Sequence, residues 1–292
     1  MARIESGVMA VSVAELLRFP FTQYALAASI LMAICASLIG VPLVLKRYSF
    51  MGFGLSNVAF MGMAFALVID MENSMALVMP LTVAATILLL GLGNRLKKVS
   101  GDASLAMLTV GSLAIGHFVI NTFSIRGGNI DRAVSETLFG GTRLVTLNAR
   151  PHEVWLALVT TIAVVIFFLF FYRRIFAVTF DTEFMQATGQ HPIVYELLLS
   201  VITGVVIAMS MSLLGSLLTA SLIIFPALSA MRISKTYKGV IICAVIIAVA
   251  CSPLGIFTAL LFELPPTTTI IMVNIALFAI LSLIGVLRKQ FV

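Results

Sequence analysis

Between residues 23 and 287 the chain is a succession of apolar stretches, each close to the length of a membrane span, separated by short connectors rich in charge, proline or glycine. A helix needs roughly 20 apolar residues to cross the hydrocarbon of a bilayer. In that medium every backbone amide must find its partner within the protein, so long apolar runs are helices. The composition agrees: 61% of residues are hydrophobic and 10% are charged, against about 25% charged in soluble domains. Mean hydropathy is +1.16. The expected fold class is an all-α integral membrane protein, a polytopic bundle forming a single transmembrane domain over residues 1–292, with no soluble domain.

Spans are expected near 23–45, 52–69, 75–93, 103–123, 153–172, 193–213, 215–231, 239–261 and 268–287. That makes nine crossings, or eight if 215–231 is re-entrant. The segment MARIESGVMAVSVAELLRFP, residues 1–20, carries Glu5, Glu15 and Arg18 and lacks the apolar core of a cleavable signal, so it reads as an interfacial lead-in.

Lys46/Arg47, Arg95/Lys97/Lys98, Arg173/Arg174, Arg232/Lys235/Lys238 and Arg288/Lys289 fall on one side of this arrangement and hold 12 of the 18 basic residues. The positive-inside tendency makes that side cytoplasmic, leaving the N-terminus outside and the C-terminus inside. The pI near 9.5 therefore reflects topology signals rather than nucleic-acid binding. The connector 124–152 then lies outside, where its LFGG and NARP turns suggest an ordered loop able to receive a partner.

Charge is nearly absent from the spans. Every Asp and Glu maps to a loop or a span end, Glu196 among the latter, and only His117 sits well within a span. Ion-coupled transporters keep buried carboxylates for the coupling ion, so this pattern argues against them. No H-E-x-x-H, G-x-S-x-G or G-x-x-x-x-G-K-[ST] motif occurs. The chain is therefore expected not to be an enzyme, to need no cofactor of its own, and to take its energy from another subunit. Cys35, Cys243 and Cys251 lie dispersed in apolar spans and read as packing residues. Gly52, Gly54 and Gly62, with Ser56, Ala59, Ala64 and Ala66, allow close helix approach along 52–69. Pro226 is expected to kink or break the span 215–231.

One polar patch interrupts the apolar pattern, RRIFAVTFDTEFMQATGQHP at 173–192. Asp181 is placed to cap a helix over about 182–188, with Glu183 in its first turn and Gly189 as its stop. Phe180, Phe184 and Ala187 share a face at i, i+4, i+7 spacing, and a partner groove would cover those aromatics. A helix lying flat on the lipid interface is the alternative.

Four motifs in order carry a resemblance across nearly the whole chain: KRYSFMGFGLSNVAFMGMAFAL, SETLFGG, FAVTFDTEFMQATG and LLGSLLTASLIIFPALSAMR. Together they resemble the permeases of bacterial zinc/manganese ABC importers, whose fold is related to that of vitamin B12 and siderophore importers. The resemblance implies a homodimer in the bacterial plasma membrane, importing a divalent transition metal, zinc first and manganese or iron next. It makes Asp181, Glu183, Phe184, Ala187 and Gly189 a coupling helix for a cytoplasmic ATPase dimer that holds the ATP and magnesium. It also implies a substrate-binding protein outside. The family's second-span signature places an Asp and a His where this chain has Phe53 and Asn57. An amide oxygen is a poor zinc ligand. Three accounts stand: Asn57 suffices for weak binding, His117 with Asn121 one turn on supplies the ligand, or the solute is not a bare metal. Phe53, Asn57, His117, Asn121 and Pro226 are the candidate pathway residues; a scaffold without any pathway is the rival from another class.

Overall fold

The computed structural model describes residues 20–71, 74–89, 101–123, 151–189, 191–262 and 264–290. Ten helices appear among them: α1 Pro20–Leu45, α2 Met51–Val68, α3 Met75–Ile87, α4 Gly101–Phe123, α5 Pro151–Phe180, α6 Thr182–Ala187, α7 Pro192–Leu214, α8 Ser216–Ile233, α9 Tyr237–Phe262 and α10 Pro266–Gln290. Eight are long and apolar enough to cross a membrane. The lead-in at 1–19 and almost all of the 124–152 connector lie outside the described residues.

Two expectations need correction, on Pro226 and on the end of α5. α3 is described as a helix over 13 residues, Met75–Ile87, ahead of the undescribed stretch 90–100, and the segment 215–231 forms α8, 18 residues long and apolar enough to cross a membrane. Pro226 does not break its helix, which runs unbroken from Ser216 to Ile233; a membrane helix tolerates proline where its surroundings absorb the freed carbonyl. The turn from α7 into α8, where the expected spans 193–213 and 215–231 meet, is made at Gly215, whose φ of 88° and ψ of 163° belong to a region open almost only to glycine. Finally, α5 passes Arg173 and Arg174 and ends at Phe180. The stretch RRIFAVTF contains no Gly or Pro, and Arg favours helix, so the polar connector shrinks from 173–192 to the residues around α6.

Proline fixes the φ of a first helical residue and sacrifices only an amide that would be unpaired there; Pro192 and Pro266 open α7 and α10 in this way. The turn from α1 to α2 is closed by the backbone amides of Lys46 and Tyr48, which donate to the carbonyls of Pro42 and Leu43 at 3.0 and 2.9 Å. Arg47 takes a φ of 65° between them.

In lipid, helix association rests on close van der Waals packing rather than on water release. Glycines mark those approaches. A Cβ on Gly40 of α1 would strike the Ile223 carbonyl of α8, and one on Gly52 of α2 would meet the Ile223 side chain at 2.8 Å. Gly204 of α7 lies against Val83 and Thr86 of α3, and Gly255 of α9 against Ile270 of α10. The centre of the bundle is α1, where Met32, Ala33, Cys35, Ala36, Ile39, Val41 and Leu43 are fully buried; it packs on α5, α7, α8 and α9. At the periphery, α5 turns Leu169 and Phe170 outward, as suits a lipid-facing surface. Most buried hydroxyls bond within their own helices: Ser56 donates to the Gly52 carbonyl, Thr82 to Val78, Thr109 to Leu105 and Thr203 to Leu199, each at 2.7 Å. These bonds satisfy the hydroxyls without a partner helix.

Candidate coupling surface and conducting helices

The short helix forms as its sequence dictates. Asp181 is extended, at φ −149°, and its carboxylate accepts the Phe184 amide at 2.8 Å. Glu183 occupies the first turn, where the helix dipole favours an acid. At the far end Gly189 adopts a φ of 77°, which suits a helix stop. Met185 turns inward and is 1% exposed, whereas the Phe184 side of the helix faces out, Phe184 at 65% with Glu183 and Ala187 exposed beside it. The five expected coupling residues thus fall on one short element. Phe180 does not share its face, because it is the last residue of α5 and the extended Asp181 separates the two helices. It joins an aromatic cluster instead, 4.8 Å from Phe176 and 5.9 Å from Tyr237 between ring centroids. Tyr237 opens α9, so that helix braces the end of α5 beside α6.

The second region lies along α2 and α4, which pack closely. Gly54 faces Leu105 and Thr109, and Gly116 faces Phe60 and Met61. Residue numbers rise together on both helices, so the two run parallel, and α3, which lies between them in sequence, packs on α2 and α7. Phe53, Asn57 and Phe60 share one stripe of α2 at i, i+4, i+7 spacing. Phe53 is half-buried, Phe60 is buried, and the Phe60 ring lies 5.3 Å from His117, itself half-buried. His117 therefore sits about one turn beyond Asn57 along the bundle.

Asn57 differs from the buried hydroxyls of Ser56, Thr82, Thr109 and Thr203, each bonded within its own helix. It is completely buried, yet neither its amide nitrogen nor its oxygen has a hydrogen-bond partner among the described residues. An unmet buried amide is costly and unusual. Asn121 is exposed near the end of α4. Pro226 lies three residues past Ile223, toward the end of α8 nearest the α1–α2 turn, and so falls away from His117. Of the expected pathway residues, then, the structure groups Phe53, Asn57 and His117 and separates Asn121 and Pro226. No group of three or more His, Cys, Asp or Glu able to hold a metal occurs among the described residues. The three cysteines are free, and Cys35 donates to the Thr161 hydroxyl at 3.3 Å, joining α1 to α5.

One feature escaped the sequence. Glu196, expected as an ordinary span-end carboxylate, is buried, and the Lys46 ammonium donates to its Oε1 at 2.9 Å. The partners are 150 residues apart in the chain, so no local signal links them. They line a cleft of about 250 Å³ with Tyr48, Val178, Thr179, Phe180 and Thr182. Burial, and then the nearby Glu196 carboxylate, hold the Tyr48 phenol above its ordinary pKa. At the same end the Arg174 guanidinium lies 5.6 Å from the Tyr195 ring centroid, a tie between α5 and α7.

A family model described as "ABC 3 transport family" matches residues 18–285. The manganese transport system membrane protein MntC of Halalkalibacterium halodurans is 25% identical over 91% of this chain and 88% of its own length. The high-affinity zinc uptake system membrane protein ZnuB of Buchnera aphidicola is 24% identical over 90% of this chain and 96% of its own. Among solved structures, PsaBC from Streptococcus pneumoniae in complex with Fab superposes with a TM-score of 0.77, at 21% identity, covering 92% of this chain and 93% of that one.

Proposed function

Because the chain belongs to the ABC 3 transport family, matched over residues 18–285, we propose that it is the membrane permease of an ABC importer that brings a divalent transition metal into the cell. Similar proteins are named for manganese and for zinc. Zinc is the first candidate because His117 offers an imidazole about one turn beyond Asn57; manganese better suits the Asn57 amide oxygen. The observation that carries the reading is α6, a capped helix between two spans with Phe184 outward and Met185 inward. A groove on a separate cytoplasmic ATPase would take Phe184.

In this reading the permease works as a homodimer in a bacterial plasma membrane, with the α1–α2 turn and α6 on the cytoplasmic side, the N-terminus outside and the C-terminus inside. A binding protein delivers the ion from outside. ATP binding closes the ATPase dimer, α6 is displaced, and the helices behind it reorient to open the path inward. Catalysis of ATP hydrolysis belongs to the partner; this chain supplies the path and the lever. The partnerless Asn57 amide lies beside that path, where a passing ion held weakly by one or two neutral donors is easily released.

A second reading, the same permease moving a small solute other than a bare metal, is favoured by Phe53 and Asn57, which leave the stripe without a carboxylate. Growth separates the two. Cells lacking this chain should fail under metal chelation and recover with added zinc or manganese. Recovery only with another solute would transfer the conclusion to the second reading.

A further inference from the structure

The ion pair between Lys46 and Glu196 is the feature that the proposed function does not use. It is nearly dry, with the Lys46 and Glu196 side chains 12% and 8% exposed, and it joins two places that matter for coupling. Glu196 sits in the first turns of α7, five residues after His191, the residue at its N-cap position, and α6 ends at Ala187 just before. Lys46 directly follows α1 and opens the tight turn into α2, the helix that carries Asn57.

We propose that Lys46 and Glu196 are positioning residues for transport, a salt-bridge link that carries movement of α6, passed to the start of α7, across to the α1–α2 turn and so to the conducting stripe of α2. The proposal rests on the reading of α6 as the ATPase contact. Apolar contacts between helices allow sliding, whereas a desolvated ion pair holds its two atoms in register because separation leaves two buried charges. The attachments are rigid at both ends. The α1–α2 turn is closed by backbone bonds from Lys46 and Tyr48, and Glu196 is fixed on a continuous helix. The cleft beside the pair is lined by Thr182 of α6 and by Thr179 and Phe180 of α5, giving the coupling element space to move against the link. Without the pair, α6 would still dock, but its displacement would reach α2 poorly.

The test uses the complete transporter, permease with its ATPase and binding protein, in proteoliposomes. It measures ions imported per ATP hydrolysed, with radioactive zinc or manganese, whichever the unmodified transporter accumulates. Lys46→Met and Glu196→Gln should each lower that ratio about tenfold while ATPase remains bound and active, because the link rather than the docking is lost. Lys46→Arg, which keeps the pair, should stay within about twofold, and the exchange Lys46→Glu with Glu196→Lys should recover at least about threefold over either single change. Ratios unchanged in both single variants overturn the proposal. So does a fall that only tracks loss of bound ATPase and a lower thermal midpoint, since that pattern marks a structural role. If the unmodified transporter imports neither ion when given ATP, the functional reading falls, and the link with it.

Discussion

Asn57 was visible in the sequence as a departure from an Asp/His pattern, but its isolation was not. Hydrogen-bond partnership depends on which helices close around a residue, and the same span shows Ser56 bonding back to Gly52 while the Asn57 side chain beside it has no partner among the described residues. A buried amide without partners destabilises by roughly 1–3 kcal/mol. Asn57→Leu, which keeps the branching and the number of side-chain heavy atoms while removing the polar groups, should therefore raise the thermal midpoint of the purified permease while lowering ATP-driven uptake at least about tenfold, the pattern expected where stability is sacrificed for function. A lower midpoint with full uptake would show the amide to be structural. Gly215 offers a purely conformational case. At φ 88° and ψ 163° an alanine is strained by about 1–3 kcal/mol, so Gly215→Ala should lower the thermal midpoint without altering metal selectivity. A midpoint equal to that of the unmodified chain would contradict the backbone reading.

Among the elements, α6 was the most legible, because capping chemistry is local: Asp181, Glu183 and Gly189 specify a helix start, first turn and stop within nine residues. What the sequence obscured was its neighbour. The aromatic spacing from Phe180 to Phe184 suggests one face, yet the cap at Asp181 takes an extended backbone and divides them, so Phe180 serves the α5–α9 cluster. The kink or break expected at Pro226 leaves α8 continuous, since surrounding helices can accommodate a proline, whereas the turn at Gly215 needs a φ and ψ that almost only glycine adopts. Phe184→Asp should abolish co-purification of the ATPase with the permease while leaving the permease itself folded, as judged by an unchanged elution profile in detergent. Asp181→Ala removes the cap bond and should weaken the complex more mildly, in line with about 1 kcal/mol for a lost N-cap. ATPase retained by Phe184→Asp would return α6 to the lipid interface.

Taken together, the molecule shows which parts of such a bundle are encoded locally and which are not. The places of the spans followed from apolar runs, and the described helices lie within a few residues of expectation except where α5 continues past its arginines. Helix neighbours did not follow, because contacts such as Gly40 with Ile223 or Lys46 with Glu196 join segments more than a hundred residues apart. The central claim is that this polypeptide conducts and another one powers it. The direct measurement is uptake of radioactive zinc and manganese into sealed proteoliposomes containing the permease with or without its ATPase, with ATP supplied on the ATPase side. Accumulation should require both the ATPase and ATP and should disappear in Phe184→Asp. Uphill accumulation by the permease alone, driven by a proton or sodium gradient, would contradict the account.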